Sequence, residues 1–278
     1  MPICAPTFGW LPQFQLVLAI TASVMAQPAG DSDSLAADRG APQDEAAATE
    51  FPPPSQSVRV GGDLEVAVTF ENGVYRSGSC RIPTPLPLGY PPPTPPGAIE
   101  LKSYPVVRRA EVDGAWAPDV GMNLTFWPLF QHISRRQIAM TSPVEVDYPG
   151  YEADDGKLPK QWTMAFLYRT LDDGPRGVDR SVRIIDAEPV TVVSLGFTGG
   201  TSFERVRDNL AALDRWLEAR PQWERAGEPR ALFYNGPEVS ERNKWAEAQI
   251  PVRAVPAPAA EPPAEAGNEH PADPSPAQ

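Results

Sequence analysis

Residues 125–148 read TFWPLFQHISRRQIAMTSPVEVDY. Phe126, Leu129, Phe130 and Ile133 recur at i, i+3, i+4 and i+7, the spacing of one face of an α-helix. Thr125 can cap that helix. Pro128 then falls in its first turn, where a missing N–H costs little. Gln137 to Tyr148 reads as the strand that follows. Upstream, Ile99 to Val112 (IELKSYPVVRRAEV) reads as a strand, with Pro105 implying an edge or a bulge. Downstream, Trp162 to Arg169 alternates cleanly, with Trp162, Met164, Phe166 and Tyr168 on one face.

Asp172-Asp173-Gly174-Pro175 is a turn, and after it the same order recurs. Val182 to Ile185 and Thr191 to Phe197 read as strands. Thr201 and Glu204 form a capping box for a helix that buries Phe203, Val206, Leu210, Leu213 and Leu217 and stops before Pro221. Arg230 to Tyr234 and Trp245 to Val252 close as strands. Strand, helix, two strands is therefore stated twice. The pattern predicts an α+β fold with two main helices and two similar halves.

The chain has 278 residues, a length that would allow two domains. Composition argues for one core, over 98–253. Residues 27–55 and 254–278 are rich in Ala, Pro, Asp and Glu and hold too few large apolar residues to offset ordering entropy. Ten acids and one base fall in them, so −9 of the formal charge of −12 lies there and −3 remains for the folded part. With no dense basic patch, nucleic acid is not an expected partner. Phe14 to Ala26 is an apolar run ending in Val24-Met25-Ala26, small at −3 and −1. It marks residues 1–26 as a signal peptide, without the usual basic n-region, and the chain as exported to the periplasm, envelope or medium. The run is too short for a stable transmembrane span. Cys4 would leave with the leader, so Cys80 is a lone thiol and no cysteine metal cluster is expected. Residues 56–97 read as an appended β-hairpin, with a turn at Asn72-Gly73, followed by a Pro-rich strap of extended geometry.

Ile138-Ala139-Met140-Thr141-Ser142-Pro143-Val144 resembles the M-T-x-P-V signature of the SOUL/haem-binding protein family. Phe126-x-x-Leu129-x-x-His132-Ile133 is similar to that family's helical F-x-x-L-x-x-Y-I. Glu100 to Arg108 resembles its first strand, Phe197-x-Gly199 its F-x-G, and Tyr234-Asn235-x-Pro237 with Arg242-Asn243 its closing elements. The resemblance covers about 98–253 with the elements in order. It implies a distorted antiparallel β-barrel of two pseudo-symmetric β-α-β-β halves, and binding of haem or another tetrapyrrole. The chain departs from the family where His132 takes the Tyr position and Ser134-Arg135-Arg136 replaces a longer Gly-containing loop.

A tetrapyrrole needs apolar walls, cations for its carboxylates and, for haem, an optional axial ligand. Phe126, Leu129, Phe130 and Met140 supply apolar surface in a slot between helix and sheet. Arg135 and Arg136 supply cations. His132 is the candidate iron ligand, though it lies about 110° from the centre of the apolar stripe. The competing reading makes it a surface histidine at the helix edge. Enzyme signatures are absent: there is no G-x-S-x-G, H-E-x-x-H or P-loop. Glu145 and Asp147 are the only acids placed to act as general bases. The expected function is ligand binding for carriage, buffering or sensing. The alternatives are a small-molecule hydrolase on the same fold, and an envelope interaction protein without ligand.

Overall fold

The computed structural model describes residues 57–151, 158–159 and 161–255. Contacts divide the chain into residues 1–49 and 50–278, and only the second unit falls among the described residues. The expected signal peptide at 1–26, the linker at 27–55 and the tail beyond Val255 lie outside them.

Four short strands come first: β1 (Ser57–Gly62), β2 (Thr69–Glu71), β3 (Val74–Ser77) and β4 (Cys80–Ile82). Next come β5 (Ala98–Tyr104), β6 (Val107–Asp113), α1 (Pro118–Arg136), β7 (Val144–Asp147) and β8 (Thr163–Leu167). The last group is β9 (Gly177–Asp179), β10 (Val182–Ala187), β11 (Val190–Thr198), α2 (Phe203–Glu218), β12 (Trp223–Arg225), β13 (Arg230–Phe233) and β14 (Trp245–Ala254). An 11-stranded antiparallel sheet runs β1-β5-β11-β14-β13-β7-β8-β6-β10-β9, with β12 also paired to β14. The path has two ends, so the sheet is not closed into the expected barrel. β2, β3 and β4 form a separate three-stranded sheet.

Pro105 divides the first expected strand outright. β5 pairs with β1 and β11, whereas β6 pairs with β8 and β10, far along the sheet. A residue without an N–H cannot continue a central ladder. β1, read as part of the appended hairpin, is instead an edge strand of the main sheet. The Asn72-Gly73 turn has positive φ at both residues, 51° and 78°, as a two-residue hairpin demands.

α1 begins seven residues before the expected cap. Pro118 sits in its first turn and Pro128 lies inside it, while Thr125 is buried mid-helix. A proline at the start of a helix forfeits only an N–H that has no intrahelical acceptor. Leu129, Ile133 and Thr125 face the sheet. α2 starts where expected, but the Thr201/Glu204 box does not form. Asp119, in the first turn of α1, instead accepts the Phe203 N–H at 2.7 Å. Trp216 joins Phe203, Val206, Leu210 and Leu213 in the core, and Leu217 is only partly buried.

Both helices pack on one face of the sheet. The other face is covered by β2–β4 and the strap. The strap is docked rather than a free spacer. Pro91, Pro93, Thr94 and Pro95 are buried. Leu88 donates to the Arg169 carbonyl at 2.9 Å, and Ser142 to that of Pro85 at 3.0 Å. Gly196 permits this approach, because a Cβ there would collide with the Thr94 and Pro95 carbonyls. Beneath the strap lies Glu247, fully buried. It accepts bonds from Lys102 (3.1 Å), Thr94 N (2.8 Å), Tyr234 (2.6 Å), Ser194 (2.5 Å) and Gln249 (2.8 Å). Burial would raise its pKa, but Lys102 and these donors hold it below the usual value.

Lys102→Met removes the one cation touching Glu247 and leaves a buried, uncompensated carboxylate. Urea unfolding at neutral pH is expected to show a loss of about 3–5 kcal/mol, part of which Lys102→Met/Glu247→Gln recovers.

Candidate functional site

The inward face of α1 leaves no slot. Leu129 is fully buried and Ile133 nearly so, and the edge of the Phe126 ring meets Phe166 at a centroid distance of 4.9 Å. Met140 is half-buried against the same core. The expected cleft between helix and sheet is therefore filled by interlocked side chains. Close packing is the default for an interior of this composition.

A concave surface lies on the outer flank of α1. A groove of about 360 Å³ is lined by Trp127, Phe130, Gln131, Ser134, Arg135 and Arg180. Trp127 and Phe130 stack at 5.9 Å, and Phe130 lies nearly parallel to Phe126 at 6.1 Å. Arg180 comes from the two-residue turn between β9 and β10, where its φ is 61°. Glycine is the usual residue there, and a side chain at such a φ costs about 1–2 kcal/mol.

Next to it, a crevice of about 80 Å³ is lined by His132, Arg136, Tyr168, Val178 and neighbours. That is well below the ~300 Å³ at which small-molecule pockets begin. His132, expected at the helix boundary, is 1% exposed. Its Nδ1 meets Asp179 at 2.7 Å and its Nε2 the Tyr168 hydroxyl at 2.8 Å. The His132 bond and the nearby arginines lower the Asp179 pKa to about 2, so this carboxylate only accepts. Nδ1 therefore carries the proton, and in the neutral ring Nε2 accepts from Tyr168. Burial raises the Tyr168 pKa to about 12, keeping that donor protonated. The ring thus has no free lone pair, and iron could reach it only if a bond were broken. Arg135 and Arg136 also approach Asp179, each at 3.4 Å, and remain substantially exposed.

Of the expected ligand residues, Phe130 and Arg135 line the groove and His132 and Arg136 the crevice. Leu129 is core, and Phe126 and Met140 pack behind. Trp127, Gln131, Ser134 and Arg180 were not anticipated. Trp127 fell off the apolar period, and Arg180 has no local signal because it enters from a distant hairpin.

The expected general bases lie on the other sheet face. Val146 joins the core beneath the helices, so Glu145 and Asp147 point away from them. Glu145 is held by Arg109 and, at 3.0 Å, by Arg230. Burial and the Glu145 charge push the Asp147 pKa up to about 6, despite its 2.8 Å bond from Arg109.

The SOUL heme-binding protein model matches residues 94–247, more than half of the chain. The chain belongs to the SOUL heme-binding protein family. It is also similar to the C-terminal domain of EcmrR, at 15% identity over 56% of this chain and 98% of that one, with a TM-score of 0.48. An uncharacterized conserved protein from Listeria innocua is 16% identical over 58% of this chain and 94% of that one, with a TM-score of 0.43. A 93-residue stretch is 38% identical to a probable aldehyde oxidase 2 of Oryza sativa subsp. japonica. That stretch is 31% of this chain and spans only 7% of the rice protein's length. Membership of this heme-binding family supports ligand binding in general.

Two predictions follow from the packing around His132 and Asp147. His132→Ala strands the Tyr168 hydroxyl and loosens Asp179, and thermal unfolding is expected to report a loss of about 1–3 kcal/mol. For Asp147, the folded pKa is raised, so its contribution to stability is full below about pH 4 and lost as pH rises through about 6. Asp147→Asn is therefore expected to raise Tm at pH 7–8 and leave it unchanged at pH 4.

Proposed function

We propose that this SOUL-family protein holds a flat, carboxylate-bearing ligand, haem or another tetrapyrrole, in the groove on the outer flank of α1. The groove itself carries the reading: an aromatic pair with an arginine on either side. A macrocycle face would lie on Trp127 and Phe130, and its carboxylates would meet Arg135 and Arg180. The left-handed φ of Arg180 supports a role for that side chain, since strain of this kind concentrates at functional positions.

The lining fits the organic ring better than the metal. It contains no imidazole, thiol or thioether, and the nearby imidazole, His132, is engaged at both nitrogens. Recognition therefore rests on the macrocycle and its carboxylates. The lining also contains no carboxylate to serve as a general base, which favours binding over hydrolysis.

We read the domain as two related halves. Exchanging β5, β6, β7 and β8 for β10, β11, β13 and β14 turns their order in the sheet into its own reverse. We also read residues 1–26 as a leader that exports the chain, on the strength of Phe14–Ala26. The role would then be carriage, buffering or sensing outside the cytoplasm.

Haemin and metal-free protoporphyrin IX are expected to titrate the protein saturably, with dissociation constants within about threefold of each other. Arg135→Gln/Arg180→Gln is expected to weaken both by about tenfold or more, and His132→Phe to leave the Soret maximum unmoved. Absence of saturation would end this reading. Binding confined to haemin would return the iron, and with it His132, to the centre of the site.

A further inference from the structure

The outer face of α1 is apolar well beyond the groove. Trp116, just before the helix, is 64% exposed, and Val120, Leu124 and Trp127 are 69%, 63% and 54% exposed. Spacings of four, four and three residues place them within about 80° on one side of the helix. The buried residues Gly121, Thr125, Leu129, His132 and Ile133 occupy the opposite side. From Val120 to Ser134 there is no Asp, Glu, Lys or Arg. α2 is the internal control: its exposed positions are Glu204, Arg205, Asp208, Arg215 and Glu218. Two helices lie on one sheet, one with a charged outer face and one whose exposed positions between Asp119 and Arg135 are Val120, Leu124 and Trp127 with only the uncharged Asn123 and Ser134 beside them. A surface helix of a globular protein normally follows the α2 pattern.

The charges at the end of the stripe show what would cover it. Arg135 and Arg136 close α1, and Arg176 and Arg180 flank them from the β9 hairpin. All four are exposed. Two acids lie among them: Asp179, 17% exposed, beneath them with His132, and Asp186, 20% exposed, 3.7 Å from Arg176. The solvent thus meets exposed indoles and aliphatic side chains beside a group of guanidinium ions. Tryptophan with arginine at the rim is the composition of a helix lying in a membrane interface, its apolar side among acyl chains and its cations at headgroup phosphates. The exposed stripe is a single helix face four side chains long. It falls short of the roughly 800 Å² per partner that a stable protein interface buries. No helix among the described residues is long and apolar enough to cross a membrane, so contact would be along the surface.

We propose that the Trp116–Trp127 face of α1, with Arg135, Arg136, Arg176 and Arg180, docks the protein on an anionic lipid surface. The face shares Trp127, Arg135 and Arg180 with the ligand groove, whereas Val120 and Leu124 do not line it, so substitution of those two separates docking from ligand binding.

The test is co-sedimentation of the full chain with vesicles of phosphatidylcholine alone or mixed with phosphatidylglycerol. Binding is expected to the mixed vesicles, weakening as salt rises. Val120→Glu/Leu124→Glu should lower it about tenfold or more with the far-UV spectrum and haemin titration unchanged. Brominated lipid in the same vesicles should quench tryptophan emission. Trp116→Phe/Trp127→Phe should remove that quenching while the protein still binds. Equal binding to both compositions overturns the proposal. So does binding that Val120→Glu/Leu124→Glu leaves intact, which would place the contact elsewhere, for instance at Phe14–Ala26. A dimer broken by the same substitutions would assign the face to a second copy instead.

Discussion

A carboxylate with no exposure to water sits at the centre of the sheet. Glu247 on β14 keeps its charge because Lys102 from β5, Ser194 from β11, Tyr234, Gln249 and the strap residue Thr94 all reach it. A buried charge is tolerated only with such a complete set of partners. The set spans strands far apart in sequence, so it also aligns them. Thr94 offers both its N–H and its hydroxyl, and its carbonyl accepts from the Trp245 indole at 2.7 Å. That fixes the proline strap on the sheet. The strap and the small β2–β4 sheet then close the polar face, and α1 and α2 close the other.

One face of the sheet is occupied by a charge network and the other by tightly packed helices. The concave surface forms where α1 meets the β9–β10 hairpin. The hydrogen-bonded chain Tyr168–His132–Asp179 joins α1 to the residue that follows β8 and to β9, whose turn carries Arg180. His132 thus positions the rim of the groove and does not face into it.

Much of the fold was legible from local chemistry. The shared face of Trp162, Met164, Phe166 and Tyr168, along β8 and the residues flanking it, survives intact, all four being buried in one core. The α2 stripe, the Asn72-Gly73 turn and the disruption at Pro105 were equally plain. Other features were not, and for specific reasons. Pro128 looked like a first-turn residue because propensity alone disfavours it inside a helix, yet packing of α1 on the sheet outweighs one lost hydrogen bond. The α2 cap was assigned to its neighbours in sequence and is supplied by Asp119 from the other helix. The stripe Phe126, Leu129, Phe130 and Ile133 marked one face of α1, but Trp127 and Leu124 beside it left the limits of the buried side undefined.

The amino-acid sequence by itself determined the two helices, most of the strands and the family to which the chain belongs. These follow from periodicity, turn chemistry and short motifs, all of which act over a few residues. Tertiary structure alone decided that the strap would be docked, that His132 would be satisfied at both nitrogens, and that the groove would lie outside α1 with Arg180 on its rim. Each of these depends on pairing groups tens of residues apart, and a side chain's periodicity carries no information about a partner delivered by a distant strand.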